Sequence, residues 1–386
     1  MNLINTIKKT IIASLALSAT ISCSNKVDVI GEWKEIPVVY AVFSPLPENG
    51  DNYFRIEKAF LDPDTDAFQI AQNPDSIYYG PNELEVVVYE RTETNPYRVL
   101  DTLERIDANT LGFVRDSGIF ANNPNYVYVM RDRPIGGSTR RSYKMVIKNN
   151  RTGRTFTQYC DAILMGNYRP SENSYEYFNI TSPANPNNSS SRPINFCGRN
   201  PITSDFEFQD VNYTWNQPTN ATIYDLTATF RYYEYQENNG VVDSSTWSEK
   251  SISWKVLRNY VPDNIGTNGD AETVKVSGEN FYNFLKNNLS DVSNTNIKRC
   301  AHRIDLRIDC GGPELAELIS TRNANSSLIG GLFPVDPYSN IEDGIGIFSY
   351  KFHLIKTGYK IGAESIEYLS ESDDTKKLGF KALSCN

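Results

Sequence analysis

Residues 302–310 alternate without a break between apolar and charged side chains. His302, Ile304, Leu306, Ile308 and Cys310 share one face, and Arg303, Asp305, Arg307 and Asp309 share the other. A period of two belongs to the β-strand, whose successive side chains point to opposite sides. The pattern predicts a half-buried antiparallel strand, with one face on a core and one in water. The chain must therefore build a sheet that keeps a wet face. Residues 226–232 and 252–256 predict two further strands of the same region. Two short helices interrupt it. Ser277 is placed to N-cap one whose Phe281, Phe284, Leu285 and Leu289 share a face. Pro313, after Gly311-Gly312, suits the first position of another over 314–321.

The region before it reads the same way. Strands are expected over 36–43 (opened by Pro37), 53–60, 84–90, 126–130, 143–147 and 155–159. The last two flank the turn-forming loop 149–153 and predict a hairpin. A short helix over 66–72 stops before Pro74. Strands at this spacing favour an immunoglobulin-like sandwich. Residues 181–191, rich in Asn, Ser and Pro, carry no hydrophobic period. The expected fold is mainly β: a signal segment over 1–22, a tether over 23–30, an N-terminal β-sandwich domain over 31–166, a linker over 167–202, and a C-terminal β-rich domain with short helical insertions over 203–386. The competing reading makes the linker a long loop within one domain.

The N-terminus carries an address. Lys8 and Lys9 precede an apolar stretch over 11–21, and Cys23 closes it behind Thr20-Ile21-Ser22. The stretch is well short of the ~20 residues that span a bilayer as a helix, and fits the apolar part of a secretory signal. A small residue directly before the Cys resembles a loose lipobox, with Thr20 where Leu is usual. Cys23 is thus expected to become the lipidated first residue of the mature chain. The competing reading is an ordinary secretory signal with Cys23 free or disulfide-bonded. Each buried methylene contributes ~0.8 kcal/mol, so several acyl chains on one Cys hold a protein at a membrane. The tether 24–28 has one acid, Asp28, and one base, Lys26. The reading leans slightly to the cell surface over the periplasmic face of the outer membrane.

Removing the signal takes two lysines and no acid from a net charge of -9. The mature body is more acidic still, which argues against a nucleic-acid partner. Export permits disulfides. Besides Cys23 the chain has Cys160, Cys197, Cys300, Cys310 and Cys385, an odd set that cannot pair completely within one chain. Cys300 and Cys310 fall on one strand, ~33 Å apart, beyond the ~7 Å that a disulfide tolerates.

Catalytic constellations are scarce. Asp62, Asp64 and Asp66 open like a calcium loop, but Ala67 and Asn73 stand where Gly and Glu are needed. A solvated acidic turn, with Asp64 or Thr65 capping the short helix, is the simpler reading. Only two histidines exist, His302 and His353, each read as packed or solvated. No nucleophile elbow and no zinc spacing occur. The expectation is no catalytic residue, no metal and no cofactor. Tyr78-Tyr79 and Tyr232-Tyr233 could stack on sugars, but a strand lets only one of each pair face a ligand.

Residues 36–43, 54–61, 72–79 and 340–349 resemble blocks of a family of Bacteroidota outer-membrane lipoproteins of the β-sandwich type. That resemblance implies a location and an architecture, and it carries no catalytic residues to transfer. The expected function is a non-enzymatic accessory or binding subunit, lipid-anchored in the outer membrane beside another envelope protein such as a TonB-dependent transporter. A glycan- or ligand-binding surface lipoprotein is the alternative, and a cell-envelope hydrolase the third reading.

Overall fold

The computed structural model describes residues 35–48, 50–59, 66–115, 118–131, 139–183, 192–326 and 336–382. The signal segment, the tether, Cys23, Asp62, Asp64, Thr65 and Cys385 lie outside them. The described residues open with β1 (Pro37–Phe43) and β2 (Asn52–Lys58), then two short helices, α1 (Ala67–Ala71) and α2 (Pro74–Ile77). Next come β3 (Leu84–Thr92), β4 (Arg98–Thr102), β5 (Glu104–Asp107), β6 (Tyr126–Met130), β7 (Arg141–Asn149) and β8 (Thr155–Asp161). Short strands follow: β9 (Tyr168–Arg169), β10 (Ser174–Tyr175), β11 (Ile180–Ser182), β12 (Cys197–Arg199) and β13 (Phe206–Phe208). The last part holds β14 (Asp210–Gln217), β15 (Ile223–Asn238), β16 (Val241–Tyr260), β17 (Asp270–Ser277) and α3 (Gly278–Asn288). It ends with β18 (Ile297–Gly311), α4 (Pro313–Ser326), β19 (Ile345–Tyr359) and α5 (Ala363–Glu371). The protein is mainly β, with several sheets and few helices.

The largest sheet has eight strands in the order β16-β15-β18-β19-β1-β2-β6-β5. Its centre is the parallel pair β1–β19, in register from Val38 opposite Ile345 to Phe43 opposite Tyr350. One sheet thus takes strands from both sides of the 167–202 segment. A four-stranded sheet, β4-β3-β7-β8, packs against it. Tyr143 of β7 meets Phe43 of β1 edge-on at 5.0 Å and stacks on Tyr350 of β19 at 5.9 Å. Alternation explains the layering, since Val39, Ala41 and Phe43 of β1 are all fully buried. Burying such side chains stabilises by ~1.5–3 kcal/mol each for the larger ones. Residues 167–202 contribute β9 to β12, and residues 184–191 of that segment lie outside those described.

Local signals place the helices as expected. Ser277 Oγ accepts from Glu279 N at 3.3 Å and caps α3. Phe281 and Leu285 of that helix are buried. Pro313 opens α4, which runs to Ser326 and so exceeds the stretch expected from sequence. α1 is capped by Asp66, whose Oδ1 accepts from Phe68 N at 2.7 Å, rather than by Asp64 or Thr65.

β18 departs from the expected face assignment at one residue. Arg231 of β15 pairs with Arg303, but Tyr232 pairs with Ala301, so His302 is the extra residue of a bulge. Ala301, Ile304, Leu306, Ile308 and Cys310 enter the core. A bulge leaves one residue without a partner and re-aims it. His302 therefore leaves the apolar face it was expected to share. Its Nε2 lies 2.7 Å from Arg303 Nη1, on the wet side.

Cys160, Cys197 and Cys310 are buried free thiols. Cys300 is disulfide-bonded. Among the described residues no helix is long and apolar enough to cross a membrane.

Candidate functional site

β18 and β19 bring the second histidine to two carboxylates. His353 sits on β19 between buried Phe352 and Leu354 and points the other way. It is the cross-strand neighbour of Asp309. Glu48 reaches them from the β1–β2 connection. The ligating atoms of Glu48, Asp309 and His353 lie within 4.8 Å of one another, the one such group among the described residues. The connection is fixed at its base: Ser44 N donates to Asn52 Oδ1 and Asn52 Nδ2 to Ser44 O, both at 2.9 Å.

Arg307 decides the chemistry of this group. It stands two residues before Asp309, on the same face of β18. Its Nε donates to Asp309 Oδ2 at 2.8 Å, and its Nη2 donates to Asp309 Oδ1 at 2.5 Å and to Glu48 Oε1. The hydrogen bond from Arg307 holds the Glu48 carboxyl below its usual range, and the Arg307 charge adds to it. Burial, and then the same guanidinium, push the His353 imidazole below its ordinary value. At neutral pH the group is an arginine between two carboxylates, beside a neutral imidazole. A divalent cation placed there would meet the guanidinium within hydrogen-bond reach of both acids.

A cavity of about 140 Å³ adjoins the cluster. Leu46, Ile223, Leu315, Ile319 and Phe352 supply apolar lining, and Lys351 and Asn259 are polar members. The space is below the ~300–1,000 Å³ of usual small-molecule sites. It suits a single apolar side chain or an alkyl group, set beside an ion pair. Cys310 also lines it. Burial raises that thiol well above its ordinary value, so it stays protonated and is a poor nucleophile. The arrangement can hold a small apolar group beside an ion pair.

The other sequence candidates fall apart or take structural roles. Tyr78 and Tyr79 are both buried. Tyr232 is buried in the core, and Tyr233 turns to the opposite face, as alternation requires. His302 joins Tyr233, at 5.3 Å between ring centres, while His353 faces Asp309 seven residues further along β18. Cys23 lies outside the described residues. The residue that sequence reading missed is Arg307. In sequence it is one charge on the wet face of a strand, and its partner Glu48 is 259 residues away. Compared with known protein families and with curated proteins, the sequence matches no family model and no curated relative.

Proposed function

We propose that this protein is a lipid-anchored, non-enzymatic binding subunit of an outer-membrane complex. Cys23 holds it to the membrane and the β-rich body meets a partner envelope protein. The observation that supports this most is the ion-paired cluster at Arg307. A general acid in a two-carboxylate hydrolase needs a raised pKa, whereas Glu48 is lowered by Arg307. The adjoining cavity has the size and lining of an anchor pocket for one partner side chain, the kind of feature on which interface energy concentrates. The test is purification of the native protein from outer membranes in mild detergent. Recovery with a second envelope protein in fixed ratio, weakened by Leu315→Trp in the pocket, supports the proposal. Recovery only as a free monomer contradicts it.

A further inference from the structure

We propose that the wet face of the eight-stranded sheet carries a separate site for a neutral saccharide, built on Trp247, Tyr235 and Tyr233 and completed by Glu249, Arg231 and Arg303. The site is distinct from the Arg307 pocket and does not depend on the accessory-subunit reading.

The rings come first. β15 and β16 form a long hairpin turned by Asn239 and Gly240, both at positive φ (51° and 80°), which suits a tight two-residue turn. Below the turn the register breaks. Gln236 faces Asp243 while Glu234 faces Ser248, so residues 244–247 bulge opposite Tyr235. Hydrogen bonds fix that bulge. Gln236 N donates to Thr246 Oγ1 at 2.9 Å, Thr246 Oγ1 to Asp243 O at 2.7 Å, and Ser245 N to Asp243 Oδ1 at 3.0 Å. The result lays the indole of Trp247 flat on Tyr235, with ring centres 4.7 Å apart and planes 6° apart. Tyr233 leans on the same indole at 5.5 Å. Tyr235 is thereby buried, and Trp247 keeps 42% of its surface in water. An indole backed by a tyrosine and left open on one side is costly to expose without a use. It offers a rigid plane to an apolar face of a sugar ring.

Polar groups stand next to the plane. Glu249 follows Trp247 by two residues and is the cross-strand partner of Tyr233. Its Oε1 lies 3.8 Å from Arg231 Nη1 and 3.6 Å from Arg303 Nη2. Both distances are too long for hydrogen bonds, so the carboxylate keeps accepting capacity. Asp305 accepts from Arg231 Nε at 2.5 Å and lies 3.3 Å from Arg303 Nε, while Arg303 Nη1 meets His302 Nε2 at 2.7 Å. The guanidinium edges are thus oriented while a third of each side chain stays exposed. Planar donors and acceptors at fixed spacing are what adjacent hydroxyls need.

Charge selects the ligand. Arg231 and Arg303 are balanced by Asp305 and Glu249, and Lys381 is paired to Glu237 at 3.0 Å. Lys298 is the cross-strand neighbour of Tyr235. A polyanion finds little net attraction here, and a polycation finds none. A neutral polyol finds a stacking plane and unspent hydrogen-bond capacity. A protein partner would look instead for a broader apolar centre than one indole.

The experiment is affinity electrophoresis of the purified full chain in gels containing a neutral β-glucan, a mannan, a xylan or a starch, with polygalacturonate as the anionic control. Retardation by at least one neutral polymer is expected, about tenfold weaker in Trp247→Ala and weakened in Glu249→Ala. Trp247 is exposed, so its variant is expected to fold, and unchanged circular dichroism checks that. Absence of retardation by all four neutral polymers overturns the proposal. So does retardation that Trp247→Ala leaves unchanged, or retardation by polygalacturonate alone.

Discussion

Gly346 sits opposite Val39 in the parallel seam that joins the first strand of the eight-stranded sheet to the last. Its φ is +118°, and a Cβ added there would fall 1.9 Å from the Val39 carbonyl oxygen. Only a glycine lets the two backbones approach in this way. Gly346→Ala is expected to lower stability by about 3 kcal/mol or more, because both the backbone conformation and the clash oppose it. Urea denaturation of the two proteins measures this. Because the seam unites strands from both ends of the chain, the loss should appear in one transition reported alike by tryptophan fluorescence and circular dichroism.

Arg307→Ala should change the titration of His353. In the native protein burial and Arg307 lower that imidazole's pKa from 6.5. Removing the cation is expected to raise it. The sign for stability follows: the unfolded chain takes up the proton first as pH falls below 6.5, so the native state loses stability towards the folded pKa. The variant narrows that window. With only two histidines in the chain, ring-proton NMR resolves each titration directly.

Lys356 gives a second pH dependence. It is buried in β19, its Nζ donates to Ile180 O at 3.3 Å, and burial lowers its pKa to about 8 from 10.5. Between those values only the unfolded chain holds the proton, so this group makes stability rise with pH across that interval. Lys356→Met should abolish that rise. At pH 7 it should be neutral or stabilising by about 1 kcal/mol, since a buried cation gives way to apolar packing. Thermal melts of both proteins at pH 7 and pH 9.5 provide the comparison.

Cysteine labelling separates the thiols from the disulfide. Cys160 and Cys310 are held protonated chiefly by burial, and burial pushes Cys197 up to about 11. Iodoacetamide should leave all three unmodified in the folded protein. In denaturant without reductant they should react, while Cys300 reacts only after reduction. Peptide mass spectrometry reads each site.

Much of the fold was legible because strands and caps are local. The alternation over 302–310, the hairpin around 149–153, and the caps at Ser277 and Pro313 depend on neighbours a few residues away. The bulge at His302 was not legible, since it arises from how β18 meets β15 across the sheet. The same limit hid Trp247: its place over Tyr235 comes from four residues of β16 opposing one of β15. The β1–β19 seam and the Arg307–Glu48 pair join residues far apart in sequence, where no spacing rule applies. The short helix after the acidic run was expected, and the assignment of its cap to Asp66 depended on side-chain geometry.

We propose that Cys23 anchors a binding subunit beside another outer-membrane protein. Crosslinking intact, surface-labelled cells and then identifying what purifies with the protein tests it most directly. One dominant envelope partner is expected, retained in the wild type and lost when Cys23→Ser releases the body from the membrane fraction. A Cys23→Ser protein that stays in the membrane fraction, or a wild type that crosslinks to no envelope protein, would contradict it.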